Sequence, residues 1–411
     1  MERYFPDCTF LKEAPKNSNR PQQLRIPSTL APGVTKMSML QMTTWTGLDS
    51  LPGKSMQKVV LVAYPDSYAL AEAKSLAGSA NYEVVRVFTQ KYLNHSEYGI
   101  GSGKAKELED FVKESGVDAV ILDEHLTSKQ ISNLKTLTGV KVIDRERLIL
   151  DIFYSRATTN EARLQIQLAE IKYDMPRVRE IAKLTSGNER PGKGGSGEYV
   201  VDVKFRDLKR RIGFIREKLD EAKRRRNLYH QQRLKVGIPV VSLVGYTSAG
   251  KTTLFNLLTA QDRETSAKLF TTLSTTTRSM KIGEKNIVLL TDTVGFISRL
   301  PTYMIEAFKS TLEESLGADL ILLLVDSSEE LRDIQTKYSS CWDVLKELKV
   351  DSGKVLVVLT KYDKADHQIE GISAELKLEN PLVVSSATGY GIHKLKNVIT
   401  QHQSVKRRPQ S

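Results

Sequence analysis

A largely apolar run, IPVVSLV at 238–244, passes directly into GYTSAGKT and then into TLFNLLT, a helix-forming stretch. Strand, glycine-rich turn and helix in that order commit this part of the chain to a mostly parallel α/β layer, because G-x4-G-K-T in such a setting is a phosphate-cradling loop. Gly245 and Gly250 permit a tight curl in which the backbone N–H groups of Gly245, Tyr246, Thr247, Ser248, Ala249 and Gly250 turn inward. With the helix N-terminus they can surround the oxygens of a polyphosphate. Lys251 then supplies positive charge to the β and γ phosphates, and Thr252 places a hydroxyl on a magnesium ion.

The next polar strand end is LLTDTVG at 289–295. Asp292 is expected to hold the water shell of the metal. The amide of Gly295, reached through Thr293 and Val294, is expected to sense the γ phosphate. Between the two motifs lies LFTTLSTTTR at 269–278. A loop there must supply a Thr that binds the metal only when the γ phosphate is present, so Phe270, Thr271, Thr272, Leu273 and Ser274 form the candidate segment. Most of the Thr in that stretch are then ordinary polar loop.

A phosphate loop is equally compatible with adenine, so base selectivity has to come from elsewhere. After the strand-like KVLVVL comes TKYD, which is Thr360, Lys361, Tyr362 and Asp363. The Asp363 carboxylate can accept two hydrogen bonds from the N1 and N2 edge of guanine, a donor pair that adenine lacks. Lys361 can lay its stem along the ring. Thr360 stands where Asn is commoner, which alters one contact between the base loop and the phosphate loop. LVVSS then leads into Ser385, Ser386 and Ala387, whose backbone would meet the guanine oxygen, before a closing helix from Gly391. Five elements in this order point to GTP and GDP with Mg2+ rather than to ATP.

At 411 residues the chain exceeds what one core usually organises. Residues 1–56 hold six of the 13 prolines and no periodic run, and are expected to be a disordered extension. From 57 to 150, KVVLVAY, EVVRVF, DAVILD and VKVID alternate with helical stretches near Ala69, Lys104 and Ser128, the mark of a small α/β domain. Within it GIGSGK at 99–104 lacks the first Gly of a phosphate loop, where Tyr98 stands, and has Ala105 in place of the metal-binding hydroxyl. A turn opening a helix is the reading it supports.

Residues 151–236 carry two apolar stripes at spacings of three and four: Leu164, Leu168, Ile171, Met175 and Val178, then Phe205, Leu208, Ile212, Ile215, Leu219 and Ala222. They predict a coiled-coil hairpin of two helices, the first kinked or interrupted at Pro176, with a glycine-rich basic loop over 185–200. The G-type domain follows over 237–403, and 404–411 is a basic tail.

The longest wholly apolar run, Leu320 to Val325, is far short of the roughly 20 residues of a membrane span. Cys8 and Cys341 are the only cysteines, which gives neither a disulfide framework nor a zinc site and makes a reducing cytoplasm the natural compartment. The formal charge is +12, and 202–235 alone holds 13 Lys or Arg against 5 Asp or Glu. Arg224, Arg225 and Arg226 have no neighbouring acids to balance them, which favours a polyanionic partner over a merely solvated helix face.

YGIGSGKAKEL, VKVIDRERLILDIFYSRATTNEARLQIQLAEIKYDMPRV, GYTSAGKTTLFN and DTVGFISRLP together resemble the HflX family of translation GTPases. The resemblance runs from residue 58 to about 403 and is nearest to archaeal members. It implies an N-terminal α/β domain, a helical linker with a glycine-rich loop, and a G domain. It also implies binding to the large ribosomal subunit and its RNA, and action on stalled or stressed ribosomes. The family's LFATL corresponds to LFTTL, which by that correspondence makes Thr272 the second magnesium ligand. Ser248 stands where the family usually has Asn, a potassium ligand in related GTPases, so stimulation by K+ stays open. GGSGEYVVDVKF matches the family's loop pattern only in part.

Many GTPases orient the hydrolytic water with a Gln directly after DxxG, and here that position is Phe296. Lys251, Thr272 and Gly295 are the residues expected to act on the transferred phosphate. A slow intrinsic rate, on the order of 10⁻³ s⁻¹ or less, accelerated by a partner, is the expectation. A monomer is expected. A GTP-regulated switch for a protein effector, or an RNA-remodelling factor, are the alternatives.

Overall fold

The computed structural model describes residues 56–186, 196–261, 269–270, 275–282, 286–365 and 369–406. The expected N-terminal extension, the centre of the loop between the helices, Thr271 to Ser274 and most of the basic tail lie outside these residues. Among them, no helix is long and apolar enough to cross a membrane.

The first layer is a four-stranded parallel sheet. Its strands are β1 (Gln57–Ala63), β2 (Tyr82–Thr89), β3 (Ala119–Leu122) and β4 (Lys141–Asp144), in the order β2-β1-β3-β4. Each apolar run expected from the sequence falls on one of them. Helices α1 (Ser67–Ser79), α2 (Ser102–Ser115) and α3 (Ser128–Thr138) form the crossovers that parallel pairing requires. Asp66 caps α1 by accepting from Ala69 N at 3.0 Å. Gly101 precedes α2, so GIGSGK is a turn that opens a helix.

Helix α4 (Arg145–Arg156) leads into the long pair α5 (Asn160–Ser186) and α6 (Ser196–Val236). An ion pair joins Arg226 late in α6 to Glu161 early in α5, as an antiparallel hairpin demands. Leu168, Ile215 and Leu219 of the two stripes are buried, and the other stripe residues are half-buried. Of the kink or interruption expected at Pro176, the interruption does not occur: α5 runs through it unbroken. Proline removes one backbone donor from a helix, and packing on both sides of it can hold the helix together. Here Tyr173 donates to Asp144 at 2.9 Å and Arg177 to the same carboxylate at 2.7 Å, so the turns flanking Pro176 are anchored. A second face of α5, carrying Ala162, Ile166, Ala169 and Tyr173, is buried as well. Helix α5 lies against α4 and α8 (Thr302–Leu316) in addition to α6.

The second sheet has six strands: β5 (Val240–Gly245), β6 (Thr276–Ile282), β7 (Asn286–Asp292), β8 (Leu320–Asp326), β9 (Val355–Thr360) and β10 (Leu382–Val383). Their order is β10-β9-β8-β5-β7-β6, parallel throughout except for β6 against β7. Strand β5 therefore sits where the strand order reverses, the place at which α/β sheets open a crevice beyond their carboxyl ends. Helices α7 (Lys251–Thr259), α9 (Leu331–Glu347), α10 (Ile369–Glu375) and α11 (Ile392–Lys406) complete this layer. Strand β6 was not legible as a strand. Thr276 and Thr277, read as loop, belong to it, and the Thr277 and Thr291 hydroxyls meet across the ladder at 2.9 Å.

Candidate functional site

The loop after β5 is a close fit to its surroundings. Gly245 has φ +153°, and a side chain there would collide with the Leu324 carbonyl of the neighbouring strand. Gly250, at φ +83°, starts α7, so the first N–H groups of that helix face the loop. Lys251 is buried, and its Nζ donates to the carbonyls of Tyr246 at 2.6 Å and Gly245 at 3.1 Å. Burial lowers its pKa to about 8, against the opposing pull of Asp292.

Thr252 Oγ1 donates to Asp292 Oδ2 at 2.9 Å. A hydroxyl and a carboxylate side by side at a strand end are hard oxygen donors of the kind that Mg2+ takes. Among the described residues no group of three or more His, Cys, Asp or Glu could hold a metal by itself. The pair therefore fits an ion that draws its remaining ligands from substrate phosphate and water. Thr293 is committed to the fold, its hydroxyl donating to Leu243 O at 2.8 Å, and Val294 is buried beside it. Gly295 lies against the loop so tightly that a Cβ would stand 2.8 Å from Thr247 Cγ2 and 3.0 Å from Lys251 Nζ. Phe296 pairs with the loop through its backbone: Thr247 N donates to its carbonyl at 2.8 Å, and its own N–H donates to Gly245 O at 3.1 Å.

At the other end of the crevice, Ser385 Oγ donates to Asp363 Oδ1 at 2.5 Å and orients that carboxylate. Ser385 is buried, Ser386 partly so, and Ala387 exposed. Lys361 is held by Asp326 at 2.5 Å. Tyr362 stacks on Tyr390 with ring centroids 4.6 Å apart, so the two base-side loops are also joined by aromatic contact. At Thr360, where an altered contact with the phosphate loop is expected, the hydroxyl supplies one. It lies 2.9 Å from Ala249 O and 3.1 Å from Val325 O. Of the candidate metal-binding segment only Phe270 is described, preceded by Leu269. Leu269 N donates to Ser79 Oγ at 2.8 Å, and Phe270 packs edge-on against Phe153, with ring centroids 4.7 Å apart.

Sequence reasoning missed how firmly the first layer grips this site. Arg145 is 3% exposed and donates to Asp123 Oδ1 and Glu72 Oε2, both at 2.5 Å, and to the Ser298 carbonyl at 2.9 Å. Burial works against its charge, but Asp123 and Glu72 outweigh that and raise its pKa. Tyr246, the second residue of the phosphate loop, donates its hydroxyl to Glu72 and accepts from Ser298 N at 2.6 Å. Tyr68 closes the cluster, 2.7 Å from both the Tyr246 and Ser298 hydroxyls. Burial, then Glu72, raises the Tyr246 phenol, which stays protonated as a donor. An open cavity of about 580 Å³ lies beside it, bounded by Tyr68, Glu72, Thr247, Ser248, Glu330 and Asp333.

The comparison with known sequences bears on the whole of this arrangement. Residues 67–154 match a family model described as GTP-binding GTPase N-terminal, 156–233 one described as GTP-binding GTPase Middle Region, and 240–379 one described as 50S ribosome-binding GTPase. GTPase HflX of Methanocaldococcus jannaschii is 39% identical over 343 residues, 83% of this chain and 84% of that one. The chain belongs to the HflX family of GTPases. GTPase HflX of Escherichia coli is 36% identical over 342 residues, 82% of this chain and 80% of its relative. Among solved structures, one of SsGBP in complex with GDP superimposes with a TM-score of 0.50 at 25% identity, covering 85% of this chain and 99% of that one. The chain is a P-loop GTP hydrolase, with the α/β architecture expected from its sequence.

Proposed function

We propose that this HflX-family GTPase binds the large ribosomal subunit and hydrolyses GTP to GDP there, acting on stalled or stressed ribosomes in the cytoplasm. The observation that carries the reading is the match of residues 240–379 to a 50S ribosome-binding GTPase on a chain with a strongly basic hairpin. Lys209, Arg210, Arg211, Arg224 and Arg225 are exposed along α6. Arg226 is not part of that face as the sequence alone implied: it is half-buried and paired with Glu161.

In this reading the chain divides into domains at 57–150, 151–236 and 237–403. Lys251 and the backbone from Gly245 to Gly250 hold the phosphates. Thr252 binds Mg2+ directly, Asp292 binds its water shell, and Thr272 joins when the γ phosphate is present. The metal neutralises charge that builds on the phosphate oxygens. Asp363, held by Ser385, selects guanine, with Thr360, Lys361, Tyr362, Ser386 and Ala387 around it. Ser248 adds no amide oxygen for K+. Co-sedimentation with purified large subunits tests the partner: binding is expected with a GTP analogue and weaker with GDP. It should weaken with salt at a log-log slope of about −0.7 to −0.9 per phosphate contacted. Binding that ignores both nucleotide and salt would refute it.

A further inference from the structure

Phe296 offers no side-chain polar group to a hydrolytic water, so another group has to place that water. Among the described residues, Ser248 of the phosphate loop is exposed, and most of the buried or part-buried hydroxyls around the loop are bonded. Tyr246 and Ser298 are bonded to each other and to Tyr68. Thr252 is bonded to Asp292, Thr293 to Leu243 O, and Thr360 lies against Ala249 O. Thr247 differs from all of these. It is 6% exposed, and its Oγ1 is buried with no hydrogen-bond partner among the described residues.

The place of Thr247 in the fold is informative, and it is the methyl that faces Gly295. Thr247 lies between Gly295, whose Cβ would meet Thr247 Cγ2 at 2.8 Å, and the open cavity beside α1. Lys251 Nζ is 3.0 Å from the same Gly295 position. Lysine and the glycine amide are the groups that meet a γ phosphate in the reading above, so Thr247 borders the place where the attacking water must stand. A buried hydroxyl left unpaired costs stability, and a fold keeps one where a ligand will satisfy it.

We propose that the Thr247 hydroxyl is a catalytic residue that hydrogen-bonds the hydrolytic water, the task that Phe296 cannot perform. This rests on the GTPase reading. The water oxygen forms a bond to the γ phosphorus, and the bond from that phosphorus to the β–γ bridging oxygen breaks. One water proton passes to the departing phosphate and GDP leaves. The Thr247 hydroxyl orients the water and has neither gained nor lost a proton at the end.

The test compares full-length wild type, Thr247→Val and Thr247→Ser in single-turnover GTP hydrolysis, with and without large ribosomal subunits, beside GDP affinity from a fluorescent GDP analogue. Valine keeps the shape and removes the hydroxyl. The expected result is a rate about 10²-fold lower in T247V, as when one positioned donor is lost. The loss in rate should exceed any loss in GDP affinity at least about tenfold, GDP–aluminium fluoride binding should be lost, and T247S should recover to within about threefold of the wild-type rate. An unchanged rate in T247V, failure of serine to restore it, or a parallel loss of GDP affinity would each overturn the proposal. Absence of hydrolysis by wild type would instead count against the reading on which it rests.

Discussion

Arg299 Nη2 donates to Asp123 Oδ2 at 2.5 Å, which ties the segment just after Gly295 to the end of β3 in the first layer. Arg299 Nη1 adds bonds to the Asp123 carbonyl at 3.1 Å and to Glu124 at 3.3 Å. Gly295 is pressed against Thr247 and Lys251 in the same arrangement. In the function proposed above, a γ phosphate at Lys251 would have to displace a segment that the first layer holds.

Arg299→Ala should loosen that hold. Arg299 is 38% exposed, so solvent screens the pair and the coupling is modest. The expected change is a GTP-analogue affinity raised about two- to fivefold relative to GDP, measured by fluorescence titration. An unchanged ratio would mean that the segment moves without disturbing Asp123.

Arg145→Met should be far more damaging, because it leaves the Asp123 and Glu72 carboxylates buried without their shared cation. A loss of about 3 to 5 kcal/mol is expected in urea unfolding. A loss under about 1 kcal/mol would show that the cluster is solvated in solution.

Lys251 makes nucleotide binding pH-dependent. Its folded-state pKa of about 8 lies below the ordinary 10.5. Between those values the unfolded chain binds more protons, so this residue's contribution to stability grows as pH rises from about 8 to 10.5. Polyphosphate beside the amine restores its charge. GDP binding at pH 9 should therefore take up a proton, seen as a dependence of calorimetric enthalpy on buffer ionisation heat. The uptake should vanish at pH 6.5.

Glu170 acts in the opposite sense. Burial, together with Asp151 and Asp174, raises its pKa to about 7 despite Arg147, whose Nη2 is 3.7 Å away. Between the ordinary 4.5 and 7 the folded chain holds a proton that the unfolded chain has released, so stability falls as pH rises through that window. Glu170→Gln should raise stability by about 1 to 2 kcal/mol at pH 8 and change it little at pH 5, as measured by denaturant unfolding.

The strand, loop and helix around Lys251 were legible because each depends on residues adjacent in sequence. The same holds for the first sheet, whose strands are short apolar runs, and for the hairpin stripes at helical spacing. The grip on the phosphate loop was not legible. Glu72, Asp123, Arg145 and Arg299 are scattered over more than two hundred residues and share no period, so only the folded chain shows them as one cluster. The second buried face of α5 was hidden for a related reason: Ile166, Ala169 and Tyr173 interleave with the stripe that meets α6, and periodicity reports one face more readily than two. Thr360 departs from the commoner Asn, yet its hydroxyl still reaches Ala249 O, a substitution that only the distance could settle.

The most direct measurement is a calorimetric titration of the full-length chain and of Asp363→Asn with GDP, ADP and XDP. Wild type should bind GDP at least about 100-fold more tightly than ADP or XDP, each hydrogen bond to a charged partner being worth about 1.5 to 3 kcal/mol. The variant should lose GDP and gain XDP, since an amide can donate to the xanthine oxygen that replaces the guanine amine. Equal affinity of wild type for GDP and ADP, or a variant that keeps its GDP affinity, would contradict the placement of the guanine pocket at Asp363.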